Sequence, residues 1–295
     1  MKNLIKNLYA FIFVSYIIFF FACQPATQTN PQAGNTTQND GSQQQKSANL
    51  SVTAVSGQAM QKNGITLTPF SSPDFPNAEL YMRRLSNKNL QPGPVTFDYE
   101  VHNYQLGNQT PDSGTKMCAN SKQGQHIHHI LNGEPYRALY QDTSIRNLAA
   151  GHYISMSFLS RSYHESIKQK EAYVLHQFNV GNVKDSTDIS GPLLFYSRPK
   201  GDYIGEKDTK KVMLDFYLAN TDLQPDGNKV KATINGTEFL IDHWQPYLME
   251  GLPLGENSIK LELIDKKGNL IPGPYNSVER KIKLLPDEPL PQEKK

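Results

Sequence analysis

The sequence predicts an all-β protein: two tandem immunoglobulin-like β-sandwich domains behind a signal peptide and a disordered tether. Three observations carry this expectation. Apolar residues alternate with period two through Phe97/Tyr99/Val101, Leu214/Phe216/Leu218 and Ile259/Leu261/Leu263, which is the spacing of half-buried strands. The chain also repeats itself. Val95–Asn103 (VTFDYEVHN) matches Val212–Asn220 (VMLDFYLAN), and Gly124–Gly133 (GQHIHHILNG) matches Gly227–Gly236 (GNKVKATING). Leu148–Gly151 matches Leu252–Gly255, and Ile154, Met156 and Phe158 match Ile259, Leu261 and Leu263, so one unit of roughly 100 residues is duplicated. Third, both copies place Asn-Gly (Asn132-Gly133 and Asn235-Gly236) between short apolar runs, a dipeptide that tolerates positive φ at both central positions of a hairpin turn. No long amphipathic helix is evident. The competing architecture is a single larger barrel built from two halves.

In chain order, residues 1–22 carry Lys2 and Lys6 and then an apolar run of 15 residues from Leu8 to Ala22. That run is shorter than the roughly 20 residues a spanning helix needs, but it suits an export signal. Ala22-Cys23 directly after it resembles the lipobox of bacterial lipoproteins, with Phe20 where Leu is commonest and Phe21 where a small residue is usual. The resemblance implies cleavage before Cys23 and acylation of Cys23, palmitate included. Several acyl chains would make anchoring stable where one binds only marginally. An uncleaved membrane anchor is the alternative. With Gln24 next and no acidic run in 24–29, the sorting rules of that family imply the outer membrane's periplasmic face, surface display remaining open.

Residues 23–48 contain almost no apolar bulk and form a flexible tether. Residues 49–185 make the first sandwich, 186–285 the second, and 286–295, acidic and proline-rich, a disordered tail. The 30 Lys and Arg residues, less Lys2 and Lys6, equal the 28 Asp and Glu residues, and no basic stripe occurs, which argues against nucleic acid as a partner. With Cys23 acylated, Cys118 has no partner, so no disulfide supports the fold.

The second copy serves as a control on the first. If Val230, Ala232 and Ile234 face the core, Lys229 and Lys231 face solvent; the aligned positions in the first copy are His126 and His128, while His129 takes the inward place of Ala232. Two outward histidines two apart on a strand share a face and could hold one ion. A loop with 14 more residues than its counterpart brings Met117 and Cys118 into the His strand, so His126, His128 and Cys118 form a candidate copper or zinc set. Two surface histidines with a buried thiol, and no cofactor, is the plainer reading. His164-Glu165 begins an HExxH-like run, but Lys168 stands at the second histidine's place, which removes zinc-protease chemistry. No G-x-S-x-G, P-loop, G-x-G-x-x-G or CxxC occurs. Tyr136, Tyr140, His243, Trp244 and Tyr247 follow the two Asn-Gly turns; Tyr136, Trp244 and Tyr247 are the candidate contacts for a sugar or protein, against a core-filling role.

Residues 124–136 (GQHIHHILNGEPY), 158–166 (FLSRSYHES), 193–201 (LLFYSRPKG) and 234–263 together resemble envelope lipoproteins of Bacteroidetes-type bacteria with tandem immunoglobulin-like domains. Some of these carry the label phosphopeptide-binding, and no reaction is assigned to the group. The resemblance implies a cell-envelope lipoprotein. The first functional expectation is therefore a non-enzymatic binding or scaffold lipoprotein for a protein or glycan. The second is a periplasmic copper or zinc protein using the His126/His128 strand. The third is a hydrolase built around His164.

Overall fold

The computed structural model describes residues 57–85 and 90–287; residues 1–22, Cys23, the tether and most of the tail lie outside them. The first strands are β1 (Met60–Lys62), β2 (Ile65–Pro69), β3 (Glu79–Arg84), β4 (Gly93–His102), β5 (His126–Leu131), β6 (Arg137–Leu139), β7 (Thr143–Leu148), β8 (Gly151–Ser160) and β9 (Tyr173–Val180). They are followed by β10 (Leu193–Arg198), β11 (Asp202–Ile204), β12 (Val212–Ala219), β13 (Lys229–Ile234), β14 (Thr237–Ile241), β15 (Tyr247–Glu250), β16 (Gly255–Ile264) and β17 (Ser277–Leu285). The longest helix among the described residues is the single turn Glu206–Thr209.

Sheets β3-β4-β7 and β6-β5-β8-β9 close the first sandwich over Leu80, Phe97, Tyr99, Ile127, Leu159 and Val180. Sheets β1-β2-β15-β12-β10 and β11-β17-β16-β13-β14 close the second over Leu67, Leu214, Phe216, Val230, Leu261 and Ile282. The tandem sandwich expectation holds. The Asn-Gly turns take the predicted conformation, with φ of 51° and 70° at Asn132 and Gly133 and 46° and 79° at Asn235 and Gly236. Asn103 and Asn220, matched in the repeat, are both left-handed as well, at 54° and 58°. The assignment of residues 60–69 to the first sandwich needs correction. Strand β2 pairs with β15 (Leu67 opposite Met249), so residues 60–69 belong to the second sandwich although they precede the first.

A second correction concerns register. His129 lies opposite Ser157, and Ala232 opposite Leu261, so the structural counterpart of Leu261 is Ser157, not Met156. A one-residue slip exchanges the two faces of a strand. On β8, Ser155 and Ser157 therefore face the core of the first sandwich, where they meet His129 Nε2 (3.1 Å) and Tyr99 Oη (2.8 Å). Ile154, Met156 and Phe158 face outward, and that outward face is covered. With Ile130 and Tyr136 they pack on Leu193, Phe195, Tyr217 and Ala219 of β10 and β12, forming an apolar seam between the sandwiches. Burying each such side chain contributes about 1.5–3 kcal/mol, which explains why the outer face of β8 carries apolar residues.

Candidate functional site

The seam determines where the β5 histidines go. In the second copy Lys229 and Lys231 stay accessible, and Lys231 pairs with Glu262 at 3.0 Å. In the first copy the equivalent face is the one covered by β10, so His126 and His128 are fully buried, at 0% exposure each. His126 and His128 do lie on the face turned away from the first core, as expected, but they are not exposed, because the second sandwich replaces solvent there. His129 does point inward, as Ala232 does, and packs against Phe97 with ring centroids 4.4 Å apart.

The third member of the cluster is His164. The chain leaves β8 in a tight turn closed by Arg161 N–H to Glu165 O (2.8 Å) and His164 N–H to Arg161 O (2.9 Å). His164 takes φ +68° there, a left-handed conformation that favours Gly or Asn and costs another residue about 1–2 kcal/mol. Strain of this kind persists where the surroundings enforce it, and it often marks function. The turn aims the ring at β5. His164 Nδ1 is 3.0 Å from His126 Nε2, which is 2.9 Å from His128 Nε2, and the potential ligand nitrogens of the three rings all lie within 4.8 Å of one another.

The far side of two rings is already held. His126 Nδ1 lies 2.8 Å from Gly124 O, and a carbonyl can only accept, so the proton of neutral His126 sits on Nδ1 and its Nε2 lone pair is bare. His128 Nδ1 meets Ser197 Oγ at 3.1 Å. Ser197 sits where the β10–β12 register shifts, a bulge of the kind that re-aims a side chain. Gly124 is itself constrained. A Cβ there would fall 2.3 Å from Gly107 O, and φ is +84°.

All three rings are uncharged. Burial pulls His126 down to about 4, with a smaller push from Arg198, against the Gly124 hydrogen bond. Burial, followed by its cationic and histidine neighbours, holds His128 and His164 well below the ordinary imidazole value. Among the described residues no carboxylate bonds or ion-pairs with any of the three rings. Glu165, next to His164, turns away and is held by Arg161 (3.2 Å) and Ser72 (2.9 Å).

The other predicted contacts lie as follows. Cys118 is absent from the cluster. It is buried with Phe70, Tyr163, Met213 and Leu248, apart from the three ring nitrogens, so its position and not its ionisation keeps it from ligating with the histidines. The long loop carrying it pairs with the 161–166 turn (Ser121 N–H to Ser162 O, 2.8 Å) rather than lying along β5, and Met117 is exposed. Tyr136 is buried and stacked on His128, ring centroids 3.5 Å apart, and Tyr247 is buried with its hydroxyl on His243 O. Trp244 is half-buried and lines a cleft of about 750 Å³ together with Ser72, Glu165, Lys168 and His243. His164 as a third imidazole was missed: its only sequence signal was the His-Glu pair, read against a protease motif it does not complete.

No protein-family model matches the chain, and no curated protein matches it. Solved structures similar to it include the fibronectin(III)-like modules of Clostridium thermocellum CbhA, at 10% identity over 70% of this chain and 94% of that one, with a TM-score of 0.24. A two-domain fibronectin type-III segment of chicken tenascin has 8% identity over 70% and 98%, TM-score 0.19. The Bacteroides ovatus protein SGBP-B of a mixed-linkage glucan utilization locus, solved with a mixed-linkage heptasaccharide, has 13% identity over 75% and 48%, TM-score 0.20. Likenesses this weak carry no functional argument; the strand pairing described above carries the fold.

Proposed function

We propose that this chain is an exported, lipid-anchored metal-binding protein whose sandwiches enclose one transition-metal ion, zinc or copper, at His126, His128 and His164. One observation carries the reading. The single bare lone pair of His126 Nε2 is approached by two ring nitrogens, at 2.9 and 3.0 Å. Only one proton can lie along that lone pair, so neutral rings leave one of the two contacts without a hydrogen. A cation among the three nitrogens satisfies all of them at once. Side-chain adjustment would have to bring each nitrogen to the roughly 2.0–2.1 Å of a metal–imidazole bond. Holding of the far nitrogens by Gly124 O and Ser197 Oγ is the outer-shell support such ligands usually have. Neutral imidazoles suit both zinc and copper. The export signal and Cys23 motif supply the anchoring half of the reading. Burial of the rings favours holding metal over turning over a substrate.

Elemental analysis of the purified full chain tests this. One equivalent of zinc or copper is expected, lost in His126→Ala/His128→Ala and retained in His152→Ala. Metal retained by the double variant would refute it. A second reading, a protein or glycan held in the cleft beside Trp244, rests on that side chain's partial exposure there. It requires Trp244→Ala to abolish partner capture while leaving metal content intact.

A further inference from the structure

Tyr136 stands between the three histidines and the guanidinium that faces them. Its ring lies flat on His128, planes 11° apart. Its Oη is 3.2 Å from His164 Nδ1, the same atom that approaches His126. From the other side Arg198 Nη1 donates to that oxygen at 3.1 Å. Lys200 fixes the backbone, donating from Nζ to Tyr136 O at 2.7 Å, with the ammonium 4.5 Å from the ring centroid. Two contacts thus hold the phenol oxygen at the edge of the cluster, and three more hold its ring and backbone.

Charge gives that placement a purpose. Three neutral imidazoles leave the full charge of a divalent ion uncompensated. Arg198 is 6% exposed, and its Nε has no partner among the described residues. Neither Arg198, Lys200 nor Arg280 forms an ion pair with a carboxylate among them; Arg280 Nη2 donates to Gly133 O instead. A buried divalent ion beside uncompensated cations is strongly disfavoured unless an anionic donor joins it. Tetrahedral geometry with three protein nitrogens leaves one position open. Of the two hydroxyls bonded to the rings, Ser197 Oγ meets the far nitrogen of His128, whereas Tyr136 Oη meets the nitrogen turned toward the other rings.

We propose that Tyr136 Oη is the fourth ligand atom of the centre, bound as a phenolate with Arg198 as its counter-ion. This rests on the tri-histidine reading. On loading, the phenol O–H bond breaks and its proton passes to solvent while the oxygen's electron pair is donated to the metal; no oxidation occurs. A divalent ion then adds one net positive charge to the seam instead of two. The donor set becomes three nitrogens and one hard oxygen, which favours zinc(II) or copper(II) over copper(I).

The test is a zinc(II) titration of the metal-free full chain at neutral pH, followed by ultraviolet difference absorption. One tyrosinate should appear per bound zinc, and the copper(II) form should show a phenolate-to-metal charge-transfer band. Tyr136→Phe should still bind zinc through the three histidines, more weakly than the wild-type chain and with no tyrosinate signal. Stoichiometric zinc binding by the wild-type chain without tyrosinate would overturn the phenolate and leave the three histidines standing. No zinc or copper binding would overturn both. A tyrosinate that persists in Tyr136→Phe and disappears in Tyr140→Phe would assign the ligand to the other tyrosine near His126, 5.0 Å between ring centroids, and overturn the proposal. Should Tyr136→Phe not fold, the wild-type difference spectrum with Tyr140→Phe decides the matter: a signal retained in Tyr140→Phe supports Tyr136.

Discussion

The four buried histidines should together remove about 5 kcal/mol of stability from the metal-free protein between pH 6 and pH 5, partly offset by Glu165, whose carboxyl is raised by burial. Burial takes His126 down to about 4 and His129 to about 3, and holds His128 and His164 well below the ordinary 6.5. For each group the folded value is depressed, so its stabilising contribution is complete above pH 6.5. It is lost as pH falls toward the folded value, because the unfolded chain takes up a proton that the folded chain refuses. Each such proton is worth about 1.4 kcal/mol per pH unit. Four of them, nearly fully taken up by the unfolded chain over this interval, give about 5 kcal/mol, a large part of the 5–15 kcal/mol that usually separates folded from unfolded states. Urea unfolding of chelator-treated protein at pH 7, 6 and 5 measures this slope. His129→Asn, which leaves the three clustered rings in place, should reduce it by about a quarter. A slope of one proton or fewer would show that the folded protein solvates or charges these rings, and would refute the enclosed, neutral cluster.

Three further outcomes follow from named contacts. Cys118→Ala should keep full metal content and cost about 1–2 kcal/mol in urea unfolding, because the thiol packs in a separate apolar cluster; loss of metal would restore it as a ligand. Gly124→Ala should weaken zinc binding by about 10–100-fold, since its Cβ meets Gly107 O and displaces the carbonyl that orients His126; unchanged affinity in calorimetry would remove that carbonyl's role. Cys23→Ser should abolish incorporation of labelled palmitate and release the chain from membranes on fractionation, whereas retained label would place the acyl group elsewhere.

Much of the fold was legible in local pattern. Period-two alternation located the strands, and the Asn-Gly pairs located both tight turns, because these depend on neighbouring residues alone. What failed was everything set by the seam. Ile154, Met156 and Phe158 alternate as well as Ile259, Leu261 and Leu263 do, but alternation names a face without saying which partner covers it. The lysine-for-histidine comparison failed for the same reason. Lys231 faces solvent on β13, while the equivalent face of β5 meets β10, a contact between elements far apart in sequence. Residues 60–69 join the second sandwich across the whole first one, and no local signal announces this. The pairing of His126 with His128 needed only strand geometry to foresee. Adding His164 required a histidine in a left-handed turn, and recruiting Tyr136 required Arg198 and Lys200 from the second sandwich.

The most direct test is a crystal of the zinc-loaded protein measured at the zinc absorption edge. One anomalous peak should lie within about 2.0–2.1 Å of His126 Nε2, His128 Nε2 and His164 Nδ1. No peak there, or a peak only at a surface site such as His102 with Glu79 and Glu100, would contradict the account.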